Sequence, residues 1–538
     1  MTAVKFAKHQ RCLASILLVL LTGKAWALDA ASLNTLAAGE VNKKIAVVEQ
    51  LVNAGDAAAL PVLEALSTGT LYTTETGAVV IVTPAAALDA LTGKPAAVEP
   101  LEKISINNRL RQHLNTAIAA LRLAAPDRAL RLAAAMELQK SAGDALLPLI
   151  ERRLQQEQDA EIKSLLRNVQ ANLRLRAPER ELRLQAVKDL ARNPSNHIKS
   201  LLLARIENGA DGKPAEPDAE VRQAIHSAVA AIDRELKKVE YLSHLFSGLS
   251  LGSILLLAAL GLAITFGLMG IINMAHGELL MIGAYATYVV QILFKHYWPG
   301  AFDGYLLAAV PVSFITAALV GMALERSVIR HLYGRPLETL LATWGISLLL
   351  IQTVRVMFGA QNVAVDNPSW MSGAWTVTPG LVLPYNRIAI IFFALFVVAL
   401  VWVLLNRTRL GLYLRAVTQN RNMAACMGIP TPKVDLLAFG LGSGIAGLGG
   451  CALSQIGNVG PELGQSYIVD SFMVVVLGGV GQLAGTIVAA LGLGEINKFL
   501  EPYAGAVLGK IIILVMIIIF IQKRPQGLFA LKGRSAES

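Results

Sequence analysis

Ile272-Asn-Met-Ala-His-Gly-Glu-Leu-Leu-Met-Ile-Gly-Ala-Tyr285 follows an apolar run, Leu249 to Leu268, that reaches the ~20 residues needed to cross a bilayer. It sets Asn273, His276 and Glu278 at the start of a second such run. Polar groups are costly at that depth and mark pathways or paired networks. Further apolar runs at 305–325, 338–358, 387–405, 434–456 and 504–521 join 246–268 and 274–295. Each has about the length that ~30 Å of hydrocarbon requires. The predicted fold class is therefore all-α and polytopic.

Between 456 and 504 the pattern weakens. Ile468–Leu477 and Thr486–Leu493 are short apolar pieces flanking Gly478-Gly-Val-Gly-Gln-Leu-Ala-Gly485. Loop charge sets the orientation. Arg326, Arg330 and Arg335 crowd one loop; Arg407, Arg409, Arg415, Arg421 and Lys433 another; Lys523, Arg524, Lys532 and Arg534 the tail. Stretches 359–386 and 457–468 have no Lys or Arg. Basic loops face the cytoplasm. With the N-terminus outside and the C-terminus inside, the number of crossings must be odd. The two short pieces are thus predicted to form a re-entrant or broken hairpin, leaving seven full crossings. Its break, Gly478, Gly479, Gly481 and Gly485, should be buried in protein or line a cavity, because exposed non-helical backbone cannot sit in lipid.

The 538 residues are 54% hydrophobic and 16% charged, with mean hydropathy +0.53, but the average hides two halves. Residues 28–240 are rich in Ala, Leu, Arg and Glu, whereas 241–530 hold the apolar runs. Before them, Lys5, Lys8 and Arg11 precede Leu13–Leu21 and Ala25-Trp26-Ala27, the layout of a cleavable signal over 1–27. Residues 28–240 are then expected outside the cytoplasm, with 531–538 a cytoplasmic tail. Cys12 lies in the signal, and Cys426 and Cys451 are too isolated for a metal site. The net charge of +10 carries no nucleic-acid signal, since the basic residues cluster beside apolar spans and so point to membrane lipid.

The first half repeats itself. Arg128-Ala-Leu-Arg-Leu132 matches Arg180-Glu-Leu-Arg-Leu184, Asp159-Ala-Glu-Ile162 matches Asp218-Ala-Glu-Val221, and Ala54-Gly-Asp-Ala57 matches Ala142-Gly-Asp-Ala145. About three repeats, near 38–123, 127–175 and 179–236, predict a helical array of HEAT-like type. Residues 68–106 depart from it as an insertion, where Leu71–Val82 has the alternation of a hairpin turning near Thr76-Gly77. The scattered Arg and Glu residues read as solvated helix faces, and His113, His197 and His226 as surface or packing histidines.

No motif here performs catalysis, and no cofactor is expected. Gly442-Ser-Gly-Ile-Ala-Gly447 matches GxGxxG but lies in an apolar helix with no strand before it. Gly440 and Gly444 suit close helix packing better. Gly505-Ala-Val-Leu-Gly-Lys510 resembles a P-loop only faintly, with Ile511 where Ser or Thr would hold Mg²⁺. Candidates for a translocation path are Asn273, His276 and Glu278, then Thr343, Ser347 and Gln352, and Asp470. The alternative for these groups is pairing among themselves. Arg355 and Glu495 read as interfacial. In the loop Thr408–Ile429, residues Ala416 to Met427 predict a short helix ended by Gly428 and Pro430.

Three stretches in order, Ile272–Tyr285, Ala424-Ala-Cys-Met-Gly-Ile429 and Val474–Gly485, resemble the LivH-type permeases of branched-chain amino acid and urea ABC importers. The resemblance covers roughly 243–530. It implies a path shared with a second permease subunit, two ATPase subunits that hydrolyse ATP, and a periplasmic substrate-binding protein. It gives the ATPase-coupling role to Arg415–Gly428, with Arg415, Ala416, Arg421, Ala424, Ala425 and Gly428 as the matched positions. Met423 stands where other ABC importers carry the Glu of their coupling motif. The exported domain makes the chain most similar to the permeases of the urea importers, which implies a small uncharged substrate. Short amides or branched-chain amino acids are the alternative cargo. A channel or secondary transporter independent of ATP, and a membrane-anchored scaffold, are alternatives of other classes.

Overall fold

The computed structural model describes residues 28–55, 58–74, 77–83, 86–96, 101–207, 214–378 and 380–529. The predicted signal and the 531–538 tail lie outside them. The chain divides into two compact units between Glu235 and Leu236.

The first unit opens with α1 (Ala30–Ala38), α2 (Val41–Ala54) and α3 (Ala59–Thr68). The 68–106 insertion folds as a sheet in the order β3-β2-β1-β4 (β1 Leu71–Thr74, β2 Val79–Val82, β3 Ala87–Asp89, β4 Leu101–Lys103). The hairpin expected there is β1 against β2, with Leu71 opposite Ile81. The two outer strands have no pattern in the sequence, being only three residues each. Helices α4 (Asn108–Arg122), α5 (Arg128–Ser141), α6 (Leu147–Gln156), α7 (Ala160–Arg174), α8 (Arg180–Ala191) and α9 (Asn196–Ile206) follow. Asn107 and Asp159 begin α4 and α7 by accepting the N–H groups of Leu110 and Ile162, satisfying donors that a helix start leaves open. The core holds fully buried Leu36, Leu63, Leu114, Leu138, Ile150 and Ile162.

The repeated arginines are not merely solvated. Arg131 donates to the Ala125 and Pro126 carbonyls (3.1 and 2.9 Å) and to Glu157 (3.0 Å). Arg183 donates to the Ala177 and Pro178 carbonyls (3.0 and 2.8 Å) and lies 3.1 Å from Glu216. Arg128 reaches Asp159 and Glu161 as Arg180 reaches Asp218 and Glu220. The recurring sequence is thus a recurring latch, in which the second arginine of each motif folds back on the Pro-led turn and holds the next helix pair.

Helix α10 (Ala219–Met269) runs on from the first unit into the second, where α11 (His276–Tyr297), α12 (Tyr305–Ser327), α13 (Pro336–Phe358), α14 (Tyr385–Arg407), α15 (Arg409–Gln419), α16 (Arg421–Cys426), α17 (Thr431–Ser454), α18 (Leu463–Gly478) and α19 (Leu483–Lys523) follow. Among the described residues seven helices are long and apolar enough to cross a membrane, and α18 is a shorter apolar one. Helix α17 is the innermost. A Cβ at Gly447 would run into the Ser313 carbonyl of α12, and one at Gly450 into the Leu280 carbonyl of α11. In lipid, with little hydrophobic drive between helices, such close backbone approach supplies the packing. The outer faces of α13, α14 and α19 are apolar and exposed, as at Leu349, Phe392 and Val507.

Two local expectations change, and one stretch without an expectation takes on structure. The predicted 416–427 helix is two helices, because Asn420 leaves helical geometry (φ −154°, ψ 105°) to cap α16 at the Met423 N–H. The second arm of the 468–493 hairpin does not stop at Leu493. It belongs to α19, interrupted only at Gly505 (φ 76°, ψ 165°) after Pro502. Beyond Leu493 the helix carries Lys498 and Glu501, which pair with each other at 2.6 Å. The stretch 374–384 forms a hairpin, β5 (Ala374–Thr378) with β6 (Leu381–Pro384). The glycine break is covered by protein: Gly478 and Gly485 lie backbone to backbone, and Leu528 N–H donates to the Leu477 carbonyl (2.8 Å).

Candidate functional site

Helix α10 ends at Gly270 (φ 70°), and the chain stays non-helical through Ala275. Backbone groups exposed by such a break need other partners. Met274 N–H finds the Thr343 hydroxyl (3.1 Å), and Ala275 N–H finds the Asn273 side-chain oxygen (3.0 Å). His276 Nε2 lies 2.9 Å from the Ala258 carbonyl. A carbonyl only accepts, so Nε2 carries the proton of the neutral ring and Nδ1 is an acceptor. The Ser347 hydroxyl donates to Glu278 Oε1 (2.9 Å).

All five of these side chains are buried, Glu278 at 1% exposure and His276 at 0%. Among the described residues, four polar atoms near the start of α11 lack a hydrogen-bond partner: Asn273 Nδ2, His276 Nδ1, Glu278 Oε2 and Tyr285 OH. Buried polar groups are seldom left so. Tyr285 was not singled out from the sequence. It lies about two turns beyond Glu278, on a similar face of the helix, with its ring 4.7 Å from that of Phe358. Thr339, Thr343 and Ser347 form the buried stripe of α13, which sets the last two against the start of α11.

The other candidates fall elsewhere. Gln352 is exposed and lines an open recess of about 510 Å³ with Arg355, Glu462 and Gln465. Arg355 is bonded to Glu462 at 2.5 Å. Asp470 is paired with Lys510 at 2.9 Å. Glu495 lies beside Gly248, with Oε2 buried and unpartnered.

In the loop 408–429, Arg415 turns back to the Leu405 carbonyl (2.6 Å), and Arg421 pairs with Asp435. Ala424 is buried with Leu414, Val417, Val434 and Ala438. Ala416 is half-buried and Ala425 exposed. Gly428 ends the loop helices with φ 84°, a conformation glycine adopts freely. The outward face carries apolar side chains, with Leu412, Met423 and Met427 57%, 60% and 77% exposed, beside exposed Arg409, Arg415 and Asn422.

Residues 244–521, which contain all of these positions, match the family described as branched-chain amino acid transport system / permease component. The chain belongs to this family. Permease components are transport subunits and not enzymes. The chain is 29% identical over 296 residues to the high-affinity branched-chain amino acid transport system permease protein LivH of Escherichia coli K12, covering 54% of this chain and 95% of that protein. It is 28% identical to the corresponding protein BraD of Pseudomonas aeruginosa, over 54% of this chain and 95% of BraD. It is 27% identical to LivM of the same E. coli system, over 52% of this chain and 68% of LivM. No solved structure matches.

Proposed function

We propose that this family member is the path-forming permease of an ATP-driven importer whose cargo is a small uncharged amide, urea foremost. It acts in the bacterial inner membrane beside a second permease, with two ATPase subunits inside and a periplasmic binding protein outside. Residues 28–240 face the periplasm and the C-terminus the cytoplasm. The choice of cargo rests on the resemblance of a permease with an exported helical domain to those of the urea importers, and one observation supports it. LivH and BraD are matched over 95% of their lengths, yet the match spans only 54% of this chain, so the helical-repeat unit has no counterpart in them.

In this reading the path runs by the start of α11, past Asn273, His276, Glu278, Thr343 and Ser347. The unpartnered buried atoms there are the groups a passing polar molecule would satisfy. The exposed Met423–Met427 face of α16 docks into an ATPase, and ATP binding and hydrolysis alternate the access of the path. The second reading keeps the same machine with branched-chain amino acids as cargo, as the names of its relatives favour.

The test is uptake of radiolabelled urea and leucine at low micromolar concentration, in cells with and without this chain, before and after energy poisoning. Loss of energy-dependent urea uptake alone supports the proposal. Loss of leucine uptake alone moves the cargo to amino acids. Uptake that survives ATP depletion overturns the ATP-driven mechanism.

A further inference from the structure

Helices α15 and α16 leave Leu412 and Met423 exposed, and Arg421, the first residue of α16, keeps 42% of its side chain exposed while its guanidinium reaches inward. Its guanidinium lies 4.6 Å from the centre of the Tyr333 ring. It also forks onto Asp435, with Nη1 3.3 Å from Oδ1 and Nη2 on Oδ2. Asp435 is the first acidic residue of α17 and only 2% exposed. Tyr333 in turn donates its hydroxyl to Glu325 Oε1 (3.2 Å), near the end of α12. One arginine thus joins the loop to the inner ends of two membrane helices. A planar fork stacked on an aromatic ring fixes direction as well as distance, which a lysine cannot do.

Helix α17 cannot shift without moving its neighbours. Gly442 is against the Gly261 carbonyl of α10, Gly447 against Ser313 of α12, and Gly450 against the Leu280 carbonyl of α11. Glu278 and His276 stand at the head of α11. Packed interiors of this density pass displacement on rather than absorb it.

We propose that Arg421 is a positioning residue that transmits movement of the α15–α16 loop through Asp435 to α17, and through α17 to the polar start of α11. This rests on the importer reading above. Spatial intermediacy alone does not establish coupling, so the test is a mutant cycle in the complete complex.

Arg421→Gln, Arg421→Lys, Asp435→Asn and the neutral pair Arg421→Gln/Asp435→Asn are made in the full transporter. Two quantities are read: urea or leucine taken up, and ATP hydrolysed in the same vesicles. Uptake per ATP is expected to fall about tenfold in Arg421→Gln, and by an intermediate factor in Arg421→Lys. The neutral pair, which leaves no buried charge unmatched, is expected to stay as uncoupled as Arg421→Gln. Uptake per ATP within twofold of the parent in Arg421→Gln overturns the proposal. So does full recovery in the neutral pair, which would reduce the contact to charge balance, and so does loss of both variants from the membrane. Failure of the parent transporter to take up either probe strikes the importer reading instead.

Discussion

The Ser347 hydroxyl donates to Oε1 of Glu278 at 2.9 Å, while Oε2 of the same carboxylate is buried without a partner. A buried carboxylate half-satisfied by one hydroxyl is an expensive arrangement to keep. Glu278→Gln retains an acceptor for Ser347 and removes the charge. Uptake is expected to fall about tenfold or more while the protein remains folded, equivalent to about 1.4 kcal/mol in the transport step. Unchanged uptake would make the carboxylate a bystander. Ser347→Ala should instead lower stability by about 1–3 kcal/mol, the cost of leaving a buried acceptor unpaired, seen as a lower melting temperature in detergent.

Asp470 and Lys510 stand 40 positions apart and meet at 2.9 Å, tying α18 to the part of α19 beyond Gly505. Asp470 is 11% exposed and Lys510 about half exposed as side chains. Breaking a buried pair costs 3–5 kcal/mol, and this partial exposure brings the expectation down to about 2 kcal/mol. Asp470→Asn should lower the melting temperature, and the reversed pair Asp470→Lys/Lys510→Asp should regain most of the loss. An Asp470→Asn protein as stable as the parent but unable to transport would return Asp470 to the path.

Much of this was legible in the sequence, for physical reasons. Membrane helices announce themselves because lipid demands apolar length, and the polar residues in Ile272–Tyr285 stood out against that demand. The repeat Arg128–Leu132 and Arg180–Leu184 showed that a unit recurs, but not that its arginine reaches carbonyls five and six residues back. Long-range partners carry no local signature. Lys510 stood in a poor likeness of a P-loop and Asp470 in an apolar piece, and nothing in either stretch names the other. Gln352 has the composition of a path residue, but it lies one position off the Thr343–Ser347–Ile351 stripe and so faces outward. Asn420 broke the expected loop helix by capping α16 at the Met423 N–H, a role Asn favours and the one local signal of the break. Tyr285 was hidden by its ordinariness as an aromatic in a span.

Gly450 in α17 and Gly457 just beyond its end supply a packing prediction with an internal control. A Cβ at Gly450 would collide with the Leu280 carbonyl, whereas one at Gly457 would meet nothing within 4 Å. Gly450→Ala should cost about 1–3 kcal/mol by overpacking, and Gly457→Ala should stay within about 0.5 kcal/mol of the parent. Thermal unfolding of both in detergent checks this. Equal melting temperatures would mean that α17 and α11 are free to separate.

The outward face of α16 gives a docking prediction. Met423 and Met427 are largely exposed, in a segment whose buried side is already occupied by Ala424. A carboxylate placed in an apolar interface is disfavoured by its desolvation cost. Met427→Glu should therefore reduce co-purification of the ATPase subunits by about tenfold or more, with this chain still present in the membrane. Undiminished co-purification would place the ATPase contact elsewhere on the cytoplasmic side.

The latch of the first unit predicts a response to acid. Glu157 is buried to 8% side-chain exposure against Arg131. Burial alone would raise its pKa, but the Asp159 N–H and the Arg131 guanidinium outweigh that and hold it below the usual 4.5. A carboxyl whose pKa is lower folded than unfolded binds its proton more readily when unfolded. Its stabilisation is therefore complete above the unfolded value and is lost as pH falls through the folded one. Hydrogen exchange across 128–174 in the full chain should accelerate once the pH drops below about 4.5, after correction for the intrinsic rate. Glu157→Gln, which has no proton to gain, should exchange faster at neutral pH and lose part of that acid dependence. An acid response identical in the two proteins would assign it to other carboxylates of the repeat.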